Sequence, residues 1–394
     1  MTKIFRLLII LLLATVVATL SFFYFTCPVY RFVKPQPFRG DSIYNPYEKK
    51  DEAHWLAGNF QVQSRVWMGI TNGRKNTPEA IWREYRRMGY DIIAISDYQS
   101  INQAFKDSAG YLPVYEHGYG IYKTHQVCIG SRKVLWRDYP LGAGLSQKQH
   151  VLDLLHQENE LIALAHPDLR NGYRVEELKY LSGYHLMEVL NGARMSLAHW
   201  DTALSAGYPA FILSNDDAHD IFKPGETGKY VTMIAGSSLS SEGIIRRLKE
   251  GNAYGVRVLS DDRSNGFIRR LPALLSCTLK GDSLRVNFDE TAREIRFIGQ
   301  HGRILAIERN SAEGSISFTD KDTYIRVEAE FEGRAVLYLN PVFRYEGGEL
   351  QLPRRAAVDS KATQLQRLII LAGLGLLSVV YVLFKKKIKL HGKV

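Results

Sequence analysis

Between Leu7 and Phe25 the chain carries no charged side chain, and a second apolar run, Leu368 to Phe384, lies near the other end with Gly373 and Gly375 inside it. A bilayer core about 30 Å thick takes about 20 apolar residues of helix to cross. Neither run suits a water-facing surface, so the middle of the chain must fold as a body tethered at both ends. Residues 7–25 and 368–384 are therefore read as transmembrane helices. A cleaved signal peptide competes for the first run. That run is longer than a usual signal core, and Tyr24-Phe25-Thr26-Cys27 is a poor lipoprotein cleavage site, so an uncleaved anchor is expected.

Charge beside the spans suggests their orientation. Lys3 and Arg6 precede the first run, and Lys385, Lys386, Lys387, Lys389 and Lys393 follow the second. Positive charge marks the cytoplasmic flank of a span. Both termini, including the basic tail 385–394, are expected in the cytoplasm, with the bulk of the chain outside the cytoplasmic (inner) membrane. Arg31, Lys34, Arg39 and Arg367 pull the other way, and the tail lysines outweigh them. The same terminal residues supply much of the net charge of +10. What remains is near balance, with no basic cluster interleaved with aromatics, so no nucleic-acid partner is expected. The tail lysines suit anionic lipid at the inner face.

Between the spans the composition changes in steps. Residues 27–50, rich in proline, read as a linker. Residues 51–265 alternate short apolar runs with helical spacing: Ser146 to Gln157 and Val175 to Leu181 read as helices, and Ile162–Ala165 and Phe211–Ser214 as buried strands. Thr227–Ala235 and Ser241–Gly251 read as a last strand and helix. From about residue 268 the runs become short and alternating: Leu274–Leu279, Ser283–Phe288, Glu294–Gly299, Arg303–Arg309, Gly314–Phe318, Thr323–Phe331 and Arg334–Leu339. That spacing suggests a β-sandwich over 268–343. Residues 344–366 read as a second linker. The cysteines, Cys27, Cys128 and Cys277, are too few for a disulfide framework.

The chemistry lies in the first half. Glu116 and His125 flank a Gly-Tyr-Gly loop, His166 ends the run Leu161-Ile-Ala-Leu-Ala165, and Asp217 and His219 follow Phe211-Ile-Leu-Ser214. Carboxylate and imidazole at strand ends are what Zn²⁺, Mn²⁺ or Fe²⁺ takes as ligands. His54, His150, His156, His185, His199, His301 and His391 fall outside this pattern and read as ordinary structural residues.

At these residues, over roughly 54–257, the chain resembles the polymerase-and-histidinol-phosphatase (PHP) superfamily of metal-dependent phosphoesterases. The family writes His-x-His-Ser/Thr where this chain has Gln61-Val-Gln63-Ser64, and Ser/Thr-Asp-His where it has Ser96-Asp97-Tyr98. Between them, Asn76-Thr-Pro-Glu opens a helix with Thr77 as N-cap. Glu116, His125, His166 and Asp217-x-His219 follow in family order. The resemblance implies an α/β fold, a distorted (β/α)7 barrel ahead of the β-sandwich, with a transmembrane helix at each end.

It also implies a reduced metal site. Gln61 and Gln63 stand where two imidazoles are expected, and Tyr98 where a third is; an amide oxygen is a much weaker ligand. Carried over by position, Glu116, His125 and His166 keep a full ligand set for one divalent ion, with Asp217 ligating or bridging. Asp217 and His219 are the catalytic candidates, His219 as acid or base. Asp97, Glu188, Asn191 and Asp216 read as supporting or substrate-facing. Arg65, Arg170, Arg194 and the Gly69–Arg74 loop are candidate phosphate contacts. Two functions follow: a metal-dependent hydrolase acting on a phosphorylated small molecule or lipid headgroup, or a catalytically inactive pseudoenzyme, with a structural ion or none, that serves as a structural or partner-binding module in a membrane complex.

Overall fold

The structure, a computed structural model, describes residues 3–48, 54–70, 73 and 75–391, with side chains up to Tyr381. The start of the expected barrel (51–53), residues 71, 72 and 74 of the candidate phosphate loop, and the last three residues of the tail lie outside the described residues.

Helix α1 (Lys3–Thr26) leads into short strands β1 (Tyr30–Phe32) and β2 (Ser42–Tyr44). Then come β3 (Trp55–Asn59), α2 (Pro78–Met88), β4 (Ile92–Ile93), β5 (Val114–His117) and β6 (Gln126–Ile129). Next are α3 (Leu145–Leu155), β7 (Leu161–Leu164), β8 (Leu186–Asn191), α4 (Leu197–Ser205) and β9 (Phe211–Asn215). β10 (Tyr230–Ala235), α5 (Ser241–Lys249) and β11 (Ala253–Val258) complete the first half. The second half is nearly all strand: β12 (Leu274–Lys280), β13 (Ser283–Ile298), β14 (Ile304–Ser317), β15 (Tyr324–Phe331), β16 (Ala335–Leu339), β17 (Val342–Tyr345) and β18 (Ala356–Val358). Helix α6 (Ser360–His391) follows.

Among the described residues no (β/α)7 barrel forms, which corrects the expected fold class. The strands build three sheets: the pair β1–β18, a five-stranded sheet in the order β5-β6-β7-β8-β9, and an 11-stranded sheet running β12-β13-β15-β16-β11-β10-β3-β4 with β14, β17 and β2 attached. In the five-stranded sheet β5, β6 and β7 are antiparallel and only β7, β8 and β9 run parallel. The loop between β5 and β6 is too short for the crossover a parallel pair needs. β10 likewise pairs antiparallel with both β3 and β11. The two large sheets touch at isolated bridges, Val62 with Ala218 and Tyr98 with Glu116.

β16 pairs antiparallel with β11, so the large sheet continues from the first half into the strands that follow residue 268. Runs expected as separate strands are merged. Ser283–Phe288 and all of Glu294–Gly299 but its last residue belong to β13, which pairs with β14 over most of its length, with an irregularity between Asn287 and Ala292.

Local chemistry explains the elements. Thr77 caps α2 by accepting from the Ala80 N–H at 3.2 Å, Pro78 occupies the first turn, and Gly89 ends the helix at φ 105°. Every residue of β5 through β9 is buried, so their apolar faces are covered on both sides and hold the sheet rigid.

The helices at the two ends are long and apolar enough to cross a membrane, and almost none of either is buried against the body. The two ends of the chain are joined where the helices leave the body. β1 pairs antiparallel with β18, the Val29 N–H donates to Thr363 Oγ1 at 3.0 Å, and Arg367 Nη2 donates to the Thr26 carbonyl at 3.2 Å.

Candidate metal centre

The pairing of β5 with β6 places Glu116 opposite Val127, so His125, just before β6, folds back onto Glu116. His125 Nδ1 lies 2.5 Å from Glu116 Oε1. β7 is the next strand over, and the Ala165 N–H donates to the His125 carbonyl at 3.1 Å. That register brings His166 Nε2 to 3.4 Å from the same Glu116 oxygen. All three side chains are buried, and one ligand atom from each lies within 4.8 Å of the others.

The backbone is strained here. His166 has φ 30° and Asp217 has φ 52°, both left-handed and both non-glycine. Such residues cost about 1–3 kcal/mol each and persist where the surroundings force them. The His166 N–H is fixed by Glu188 Oε2 at 3.0 Å.

The amides surround the carboxylates as donors. Gln63 Nε2 donates to Glu116 Oε2 at 2.6 Å. Glu188 accepts from Asn215 at 2.6 Å and from Asn191 at 2.8 Å. With its amide nitrogen turned to Glu188, Gln61 donates to the two carboxylate oxygens at 2.7 and 2.8 Å. Glu188 and Asn191 thus sit behind His166. Asp97 is held away from the centre by the Ser64 N–H, the Ser64 hydroxyl and Asn102. Asp216 accepts from the N–H groups of Gly228, Lys229 and Tyr230 and from the Tyr85 hydroxyl. These two carboxylates order loops.

His219 is half-buried at the mouth. Its Nδ1 donates to the Asp217 carbonyl at 2.7 Å, which leaves Nε2 facing the Tyr98 hydroxyl at 3.4 Å. Burial pushes the Tyr98 phenol well up, with Glu116 and Asp217 adding to it, so Tyr98 is a neutral donor and no anionic ligand.

Charge is unevenly met. Burial raises Glu116, but His125 and His166 more than reverse this and hold it well below the usual carboxylate range. Burial depresses His125 despite Glu116, so it stays neutral with a lone pair to give. Burial also opposes charge on His166, yet the Glu116 hydrogen bond, Asp217 and Glu188 hold it up at about 9. Glu188 is pushed up to about 8 and Asp217 to about 6, both mainly by burial. Three buried carboxylates thus lean on one imidazolium.

Those features fit a divalent ion. One carboxylate and two imidazoles form a common donor set, and tetrahedral ligand atoms around such an ion lie about 3.3 Å apart. The 3.4 Å between Glu116 and His166 matches; the shorter His125 contact is a hydrogen bond that must open on binding. His166 Nδ1 and Gln63 Oε1 are buried without a hydrogen-bond partner, an open valence that native interiors rarely leave.

Two cavities meet at this centre, sharing Tyr98 and Lys123. One, of about 500 Å³, is polar and lined by His166, Asp217, His219, Lys223 and Lys229. The other, of about 460 Å³, is lined by His125, Trp67, Ile70, Tyr119 and Trp136. Arg65, Arg170 and Arg194 are exposed and none lines either cavity. The lysines that do, with Asn215, Trp67 and Trp136, are absent from the sequence expectation. Each is a single loop or strand-end residue with no periodic signal.

No family model matches this chain, and no curated protein matches it. Among solved structures, a two-domain protein from Bacteroides vulgatus, described as containing a predicted PHP-like metal-dependent phosphoesterase, aligns over 83% of this chain and 99% of its own, with 11% identity and a TM-score of 0.38. At that TM-score the likeness carries no argument about fold or function.

Proposed function

We propose that this chain is a membrane-attached, metal-dependent hydrolase of the phosphoester type, with one divalent ion on Glu116, His125 and His166. The observation that carries this reading is the buried Glu/His/His group with its donor atoms within 4.8 Å of one another. When bound, such an ion polarises a phosphoryl oxygen and lowers the pKa of water. Lys123 and Lys229, with Lys223 shared with Glu226 at 2.8 Å, give the polar cavity cations that can meet a phosphate ester. Water oxygen bonds to phosphorus, the P–O bond to the alcohol breaks, and a proton from the water ends on the departing oxygen. His219, with Nδ1 donating to the Asp217 carbonyl, presents Nε2 for that proton transfer.

The glutamines explain why one ion suffices. Gln63 donates to Glu116 and Gln61 to Glu188, so neutral amides quiet the carboxylates that a second cation would otherwise neutralise. This same closure favours a second reading, a pseudoenzyme with at most a structural ion. Positive charge near both spans, and two helices that meet the body side by side, support both termini on the cytoplasmic side of the inner membrane.

The test is hydrolysis of generic phosphomonoesters and phosphodiesters by the full chain loaded with Zn²⁺, Mn²⁺ or Fe²⁺. Turnover lost in His219→Asn supports the hydrolase; no turnover with any ion leaves the pseudoenzyme. Gln61→His with Gln63→His is expected to raise metal stoichiometry above one, because two imidazoles then replace two amides.

A further inference from the structure

The aromatic cavity continues outward into a surface that water does not suit. Met68, Ile70, Ile121, Tyr122, Trp136 and Leu141 are all more than half exposed, with Met68 at 89%, Ile70 at 75% and Leu141 at 68%. They form one rim. The Trp67 and Trp136 rings pack edge to face at 5.9 Å, the Tyr119 hydroxyl donates to the Trp136 carbonyl, and the Ile121 N–H donates to the Pro140 carbonyl. A contiguous apolar patch beside a cavity marks a place where something apolar docks.

The end of α1 fixes what that is. Tyr24 lies in the last turns of the helix, within the aromatic run Phe22-Phe23-Tyr24-Phe25 that marks a membrane–water interface. Its hydroxyl donates to the Gly142 carbonyl at 3.0 Å and accepts from the Leu141 N–H at 3.1 Å. Arg137 Nη2 donates to Thr26 Oγ1 at 2.8 Å, and its guanidinium sits 4.8 Å from the Phe23 ring centre. With α1 across a bilayer, Leu141 would lie level with the lipid headgroups. The rim extends from there to the mouth of the cavity that holds His125, Tyr98 and Lys123. An aromatic and aliphatic surface at that level, with a cation at its edge, is how proteins sit in the interfacial zone.

We infer that the rim lies in the membrane surface and that the substrate is an amphiphile drawn from the lipid: an anionic phosphoester headgroup in the polar cavity, its apolar part along Trp67, Ile70 and Trp136. This deepens the hydrolase reading and rests on it for the cleavage step. Tyr98 and Lys123, common to both cavities, stand where headgroup and chain join.

Two measurements on the full chain in phosphatidylcholine–phosphatidylglycerol vesicles separate the claims. Lipids brominated on the acyl chain should quench tryptophan emission, and Trp67→Phe with Trp136→Phe should remove about half or more of the quenched signal, as for rings in the interfacial zone. Unchanged quenching in that variant, as when a protein partner covers the rim or water does, overturns the inference whatever the activity. The second measurement compares methyl 4-nitrophenyl phosphate with its hexadecyl counterpart, which differ only in the chain. The hexadecyl ester is expected to be preferred by at least about tenfold in kcat/KM, a small part of what burying its methylenes can supply. Met68→Glu with Leu141→Glu should erase that preference and leave the methyl ester rate unchanged. Equal rates on both esters overturn the inference and leave the hydrolase intact. If neither ester is cleaved the hydrolase reading falls, and the lipid-facing rim stands or falls on the quenching.

Discussion

Two groups of buried charge in this molecule follow opposite designs. Arg326, in β15, gives Nε and Nη2 to Asp201 of α4 at 2.7 and 2.9 Å and Nη1 to Glu328 at 2.5 Å, while its guanidinium lies 4.9 Å from the Trp200 ring centre. Every nitrogen has a carboxylate partner, and the group ties the large sheet to α4. Around Glu116 there are three buried carboxylates, Glu116, Glu188 and Asp217, with imidazoles and amides in place of a guanidinium. Two polar atoms there lack partners and two residues sit at positive φ. A cluster that serves only the fold closes its own valences, whereas one that serves a ligand leaves some open.

That contrast breaks most visibly at Arg326. Arg326→Met leaves Asp201 without its cation and Glu328 with Arg296 alone, 3.7 Å away, and is expected to cost about 3–5 kcal/mol in chemical denaturation, with metal content unchanged. Metal loss on that substitution would mean the two groups are one system. At the other cluster the expected effect depends on the ion. At an ion concentration a hundredfold above Kd, wild type should gain about 2.7 kcal/mol over its chelated form, and His166→Ala should gain almost nothing. Equal gains in both proteins would place the ion elsewhere.

The pH dependence is smaller and carries a sign. His166 is held up at about 9, so its contribution is present below the ordinary imidazole range and is lost as pH rises through 9. Glu188, pushed up to about 8, holds its proton more tightly folded than unfolded, so it too lowers stability as pH rises toward 8. Chelated protein should therefore lose on the order of 1–3 kcal/mol between pH 6.5 and 9. Metal binding requires His166 without its proton and tightens as pH rises, so the loaded protein should show a flatter or reversed slope. Identical slopes with and without ion would show that the imidazolium is a permanent part of the fold.

The sequence made the members of the centre legible and left its frame obscure. Glu116, His125 and His166 stand out because ligand-type side chains at the ends of apolar runs are few and each has a chemical reason to be there. Strand direction has no such signature: Val114–His117, Gln126–Ile129 and Leu161–Leu164 read alike whether paired parallel or antiparallel, and the barrel expectation failed on that point. Merged strands were hidden for a related reason. Asp289-Glu290-Thr291 looks like a turn, yet β13 continues through it, and its pairing with β14 breaks at Asn287 and resumes at Ala292. Arg326 reads as any surface arginine until Asp201, far away in sequence, is packed against it. The membrane-facing rim was equally silent, because exposed Met68, Ile70 and Leu141 have no period and gain meaning only from the contact of Tyr24 with Leu141 and Gly142.

The most direct test is metal content by mass spectrometry on the full chain purified without added metal and then exposed to Zn²⁺, Mn²⁺ or Fe²⁺. Glu116 is the shared partner of both imidazoles, so Glu116→Gln removes the charge that holds the set while keeping its shape. One tightly held ion per chain in wild type and in Arg326→Met, with at least about a tenfold loss of affinity in Glu116→Gln and in His166→Ala, is the predicted result. An ion-free wild type under those conditions, or a Glu116→Gln protein that holds metal as wild type does, would contradict it.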